Sequence, residues 1–244
     1  MSETRQAGTL ARTHEGKPGL PRGRSHLPPP AVSASQRERL LRAVIAAVSE
    51  RGYPAVTVAD IVRRARVSRK AFYEHFANKE ECFLAATGEG RELLIASAVS
   101  ATRALPADAS DEDLLRAAFR AFLTFLADEP AFARVFYIHM PAAGARAASR
   151  LDAGPRFFAE LNRRWHEHAR ERHPDWPAVT PDAYLGLAGA TAELARSMVY
   201  AGRIDDLPKL EDTLVALHLA VLAGRPWPPG PGAVGRFARA AGPE

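Results

Sequence analysis

A single cysteine, Cys82, in 244 residues leaves no partner for an internal disulfide. The chain is therefore expected to fold on buried apolar surface in a reducing compartment, with Cys82 as a small buried hydrophobe. No apolar run approaches the roughly 20 residues of a membrane span. The N-terminal stretch has arginine and proline but no apolar core of a secretory signal. The expectation is a cytoplasmic protein with no membrane partner. Strand-like alternation and internal repeats are also missing, as are a glycine-rich phosphate loop, a nucleophile elbow and metalloprotease spacing. That removes the usual signatures of catalysis, so neither an enzyme nor a cofactor is expected. His166 and His168 stand two apart, which on a helix turns them in different directions. With Glu167, Arg170, Glu171 and Arg172 around them they read as a solvated charged face rather than a metal site.

What is present is apolar residue at helical spacing, 47% hydrophobic in all, and an uneven charge. Residues 1–81 hold 15 Lys and Arg against 8 Asp and Glu, a net +7; residues 82–244 hold 18 against 20, a net −2; together these give the overall +5. The positive excess lies in the first third, as phosphate neutralisation requires.

Within that third, Thr57 to Lys79 reads as two short helices joined by a tight turn. Thr57 and Ser68 each precede an apolar-periodic run, where a side-chain oxygen can accept an unpaired helix N–H, and Asp60 suits the first turn. Val58, Ile61 and Val62 share one face of the first helix, and Ala71, Phe72 and Phe76 one face of the second. Ala65, Arg66 and Val67 leave room for only a three- or four-residue turn, so the helices should cross steeply as a helix-turn-helix. The polar face of the second helix carries Ser68, Arg69, Lys70, Tyr73, Glu74 and His75, all donors except Glu74. Such a set suits a helix that enters a major groove and meets base edges and phosphates. A solvated basic face is the plainer alternative. The agreement of caps, turn spacing and aromatic pair favours DNA.

Residues Gln36 to about Leu84 resemble the DNA-binding domain of the tetracycline-repressor (TetR) family of bacterial regulators. The resemblance is carried by Gly52-Tyr53, Thr57-Val58-Ala59-Asp60-Ile61, Val67-Ser68, Phe72-Tyr73-Glu74-His75-Phe76 and Asn78-Lys79-Glu80. It implies that the helix starting after Asn78 grips a phosphate beside Lys79, which the unpaired N–H groups of a helix start also favour. One residue departs from the family pattern. Arg66 stands where glycine is usual, at a turn position suited to a left-handed backbone, which would cost a non-glycine residue roughly 1–2 kcal/mol. The DNA-contacting set is thus Thr57, Ser68, Arg69, Lys70, Tyr73, His75 and Lys79. Arg22 and Arg24, in Pro21-Arg22-Gly23-Arg24, resemble the core of a minor-groove hook, a solvated linker being the equal alternative.

The organisation follows in order. Residues 1–34 form a basic Pro- and Gly-rich arm without fixed structure, and 35–82 the helix-turn-helix domain, whose first helix runs from about Ser35 to Arg51. Residues 83–223 form a helical regulatory and dimerisation domain, and 224–244 a tail. In the third part, helices are expected from Asn78 to about Ala101, after Ser110 to Glu129, from Phe132 to Met140, and from Ala145 to His173 with Pro155 kinking or dividing it. Two more should run from Thr180 to about Gly202 and from Pro208 to Ala223. The fold class is all-α. Most middle-helix aromatics are core; if a pocket lies between those helices, Tyr137, His139, Met140, Trp165 and Tyr184 are its candidate lining. Leu194 and Met198 on one late helix, and Leu214, Leu217 and Val221 on the next, are candidates for a dimer interface. The alternative places the last helix wholly inside its own subunit.

The reading is a homodimeric regulator on a palindromic double-stranded DNA operator, a repressor released by a small-molecule effector. The alternative is a protein of the same fold without ligand control, acting architecturally or through a protein partner.

Overall fold

Helical periodicity along the chain resolves, in the computed structural model, into nine α-helices over the residues it describes, 8–13 and 29–227. They are α1 (Pro29–Arg51), α2 (Val58–Ala65), α3 (Arg69–His75), α4 (Lys79–Arg103), α5 (Asp111–Asp128), α6 (Pro130–Arg134), α7 (Ala145–Arg172), α8 (Pro181–Tyr200) and α9 (Glu211–Leu222). A π turn, Val135–His139, and a 3₁₀ turn, Met140–Ala143, follow α6; another 3₁₀ turn, Ile204–Leu210, precedes α9. No strand occurs among the described residues, and no helix among them is long and apolar enough to cross a membrane.

Local chemistry sets most boundaries. Thr57 with Asp60 and Ser110 with Asp113 each form a reciprocal capping box at the starts of α2 and α5. Asn78 accepts the Glu81 N–H at 2.9 Å to open α4, while the Glu81 carboxylate takes the Ala77 N–H at 3.1 Å. Thr180 precedes α8 without a side-chain cap; its carbonyl accepts the Ala183 N–H at 3.0 Å, and Pro181 has no N–H to satisfy.

Five expectations are corrected. α1 begins at Pro29 rather than Ser35, because prolines in a first turn forfeit only N–H groups that have no helical partner anyway. The arm expected to lack structure throughout 1–34 is thus helical from 29, and residues 8–13 are seated on the body. On α7, which Pro155 does not divide, His166, expected on a solvated charged face, is wholly buried, with Ala147, Gly154 and Ala169 also buried. The stretch Phe132–Met140 is not one α-helix. Val135 and Met140 are both buried five residues apart, positions about 140° apart on an α-helix at 3.6 residues per turn, and the π turn brings them inward together, with the Met140 N–H on the Val135 carbonyl. Pro208 lies inside the 3₁₀ turn instead of opening α9.

One buried cluster runs from α1 through α4 into α5, α6 and α9. α4 is its shared wall: it packs on α1 at one end and along α5, burying Cys82, Phe83, Leu84 and Leu94. Burial pushes the Cys82 thiol up to about 12, leaving it an unreactive core group. Phe132 reaches α4 only because Gly90 has no side chain; a Cβ there would stand 2.2 Å from the phenyl ring. Gly90→Ala should destabilise the chain by about 2 kcal/mol, an overpacking penalty near 3 less about 1 gained in helix propensity. An unchanged or raised denaturant midpoint would show that Phe132 can move aside freely.

Candidate nucleic-acid interface

The turn between α2 and α3 is fixed by backbone bonds. The Arg66 N–H bonds to the Arg63 carbonyl at 3.3 Å and the Val67 N–H to the Val62 carbonyl at 3.1 Å, the pairing of a Schellman ending. Arg66 keeps the left-handed backbone, φ 54° and ψ 45°, and is the sole non-glycine with positive φ among the described residues. The departure from glycine therefore leaves strain in the turn. Arg66→Gly should raise unfolding stability by about 0.5–1 kcal/mol, the relieved strain less the entropy glycine adds to the unfolded chain. A destabilised variant in chemical denaturation would mean that the arginine side chain offsets its backbone strain.

Ser68 opens α3 by accepting the Ala71 N–H at 3.1 Å, so its oxygen serves the helix. Phe72 and Phe76 are buried under α3, which packs on α1 and α2. That wedge turns Arg69, Lys70, Tyr73 and Glu74 to solvent. Tyr73 is 49% exposed, and the Arg69 guanidinium lies 5.8 Å from its ring centre. Lys70 pairs loosely with Glu74 at 3.9 Å. The exposed face is thus a guanidinium, an ammonium and a phenol with one carboxylate, on a helix whose buried side is rigid.

Three expected contacts sit differently. Thr57 is exposed, but its hydroxyl and N–H both hold the Asp60 carboxylate, at 2.7 and 3.0 Å. Those bonds, with Arg51 at 3.1 Å, hold the Asp60 carboxyl down at about 2. His75 is half-buried beside Phe76, turned partly from the Arg69–Tyr73 face. Lys79 does not project freely. Its ammonium donates to the Tyr53 and Val56 carbonyls at 2.9 and 2.8 Å and lies 4.0 Å from the Tyr53 ring centre; burial lowers its pKa. Lys79 therefore staples the α1–α2 loop to the start of α4. Sequence spacing gave no sign of this, because the partners lie more than twenty residues upstream. Arg22 and Arg24 lie outside the described residues.

Of the arginines at the start of α1, Arg37 pairs with Glu89 at 3.2 Å and Arg42 with Glu38, while Arg39 is buried. Arg37 thus ties α1 to α4, while the Arg42–Glu38 pair stays within α1.

Two cavities open beside this unit. One of about 230 Å³ lies between α1 and α4, and one of about 670 Å³ along α4 and α5. None of Tyr137, His139, Met140, Trp165 and Tyr184 lines either. Met140 is core, and Tyr137, half-buried, packs on it. His139 stands beside Gly52. Tyr184 is buried with its hydroxyl 2.9 Å from His166 Nδ1, Trp165 packing on the same cluster. Helical spacing identified buried aromatics correctly but not a common cavity, since burial and lining leave the same periodic trace. Similarly, Leu214 is wholly buried within its own chain, which corrects its place among interface candidates. Leu194, Met198 and Leu217 are half-buried against that chain's core, and Val221 is exposed. Leu185, which the apolar spacing of α8 also marks for the interface, is exposed, and so is Tyr200, which that spacing does not mark.

Residues 40–86 match the family model for bacterial regulatory proteins of the tetR family. No curated protein sequence shows significant similarity to the chain. Among solved structures, the fatty acid degradation regulator FadR of Bacillus halodurans superposes with a TM-score of 0.68 at 17% identity, over 80% of this chain and 97% of that one. FadR of Bacillus subtilis, solved in complex with stearoyl-CoA, gives 0.65 at 15% identity over 75% and 98%. A tetR-family regulatory protein of Rhodococcus RHA1 gives 0.60 at 22% identity over 77% and 96%. The chain thus carries the DNA-binding unit of the tetR family of bacterial transcriptional regulators on the helical body that those regulators share.

Proposed function

We propose that this protein is a homodimeric repressor that reads a palindromic operator through α3 and leaves it when a small amphipathic effector binds the helical body. The observation that carries the reading is the face formed by Arg69, Lys70 and Tyr73, turned to solvent by the buried Phe72 and Phe76. A rigid helix with donors at its start fits a major groove, and two copies related by a two-fold axis fit a palindrome. Residues 29–82 would then be the reading unit and 83–223 the regulatory and dimerisation unit, with the exposed apolar residues of α8 and α9 meeting across the axis. The amphipathic effector is supported by the stearoyl-CoA complex of Bacillus subtilis FadR, a structural relative, and by the 670 Å³ space along α4 and α5. An effector releases DNA only through a difference in affinity between two arrangements of the reading units.

The test is selection of DNA from a random pool by the purified full chain, followed by titration of the selected site with long-chain acyl thioesters. The expected result is an enriched inverted repeat from which the protein is displaced. Failure to enrich any sequence would overturn operator reading; enrichment without displacement would overturn the effector class.

A further inference from the structure

Nothing in operator reading requires the segment from Gly8 to Thr13 where it lies, over α4 between α1 and the α5–α6 junction. Its hold is on Glu129, at the junction of α5 and α6 and only 5% exposed. The Thr9 N–H donates to Glu129 Oε1 at 2.8 Å and the Leu10 N–H to Oε2 at 2.9 Å. The Thr9 hydroxyl also donates to Oε1. One buried carboxylate thus meets three donors, all from this segment, and a carboxylate at that depth is strongly disfavoured without such partners. The segment turns on itself through the Arg12 N–H and the Thr9 carbonyl, and Ala11 is buried. Gly8 has φ +67°, and a Cβ there would stand 2.2 Å from Glu129 Oε2 and 2.8 Å from the Asp128 carbonyl. Only glycine fits that approach.

Thr9 lines both cavities, with Leu41 and Ile45 of α1 in the smaller and Ala101 and Phe125 of α4 and α5 in the larger. The segment is a partition between them. Since α1 packs under α2 and α3, it also joins the DNA-reading unit to the body.

We propose that residues 8–13 are an intramolecular latch: seated on Glu129, they close a groove along α4 and hold the reading unit in one orientation against α5. The occupant is this chain's own segment because the contact uses consecutive backbone N–H groups, a threonine hydroxyl and a residue without Cβ in one fixed order. For α1 to shift relative to the α5–α6 junction the latch must open, so the latched chain is pre-organised for one spacing of recognition helices. The effect on DNA rests on the operator reading proposed above; the latch itself does not.

The full chain is compared with Gly8→Val and Glu129→Gln. Gly8 lies outside the helical core, so its substitution leaves a folded body even if the buried Glu129→Gln does not. Hydrogen exchange is followed without DNA at the Thr9 and Leu10 amides and through Ser97–Leu105 and Ala117–Phe125. Both variants should exchange at Thr9 and Leu10 at least about tenfold faster, as expected when a protecting local structure opens. Binding to the selected operator should weaken about fivefold, the loss of a modest pre-organising contact, with an unchanged salt slope. Glu129→Gln removes a negative charge, so simple electrostatics would tighten DNA binding; weakening runs the other way. Unaltered exchange in Gly8→Val would overturn the latch. Faster exchange with unaltered operator affinity would overturn its coupling to DNA. Protection that falls on dilution would overturn the intramolecular assignment, because the segment would then come from a second copy. If even the unmodified chain selects no DNA, the exchange data still judge the latch, and the operator reading fails separately.

Discussion

Val221→Glu is expected to leave a folded monomer that has lost at least about a hundredfold in operator affinity. Val221 is 37% exposed on α9, so a carboxylate there is solvated in the isolated chain and does little to its fold. Across a two-fold interface the same carboxylate would be buried, and buried opposite its symmetry mate. An unpaired buried charge is destabilising by several kcal/mol, about 3–5 where a pair has been broken. The monomer would hold a single half-site and lose the second recognition helix, whose contribution in the dimer is intramolecular. Leu214→Glu is the contrasting variant: Leu214 has no exposed surface in its own chain, so it should unfold the protein rather than dissociate it. Sedimentation equilibrium separates these outcomes. An intact Val221→Glu dimer would place the interface elsewhere than α8 and α9.

Alanine at both Arg69 and Lys70 is expected to cost about 2–6 kcal/mol of discrimination between the operator and altered sequences, at roughly 1–3 for each good base contact. Both side chains are exposed at the start of α3, where a recognition helix meets base edges. Tyr73→Phe, farther along, should weaken all sequences alike, as a phosphate contact does. Lys79→Ala distinguishes two roles. A free phosphate ligand would lower the salt slope by about 1 on removal. A staple that holds the Tyr53–Val56 loop by two bonds should instead leave the slope nearly unchanged and lower unfolding stability by about 1–3 kcal/mol. The bonds to the Tyr53 and Val56 carbonyls favour the second result. Binding isotherms for operator and scrambled duplexes at several salt concentrations, with one denaturant titration, decide it. A slope that falls by one with stability unaltered would return Lys79 to the phosphate backbone.

The sequence by itself determined what depends on neighbours within four residues. The caps at Thr57, Ser68, Asn78 and Ser110 all open helices where their side chains accept an N–H three residues on. Each is a contact within one turn, so spacing alone reveals it. The buried faces of α2 and α3, the all-α class and the exposure of Arg69, Lys70 and Tyr73 followed from the same short periodicity. Tertiary structure alone decided which distant groups meet. Periodicity marks Leu214 and Val221 as apolar on one helix, but only the placement of α9 against α5 and α8 buries the first and exposes the second. Lys79 looked like a solvent cation until the α1–α2 loop presented two carbonyls to it. Glu129 read as the end of a helix, and its partners Thr9 and Leu10 lie about 120 residues away. Such pairings are fixed by how helices cross and what their ends then face. No local spacing encodes that, because the chain between two partners can return by many routes at nearly equal entropic cost.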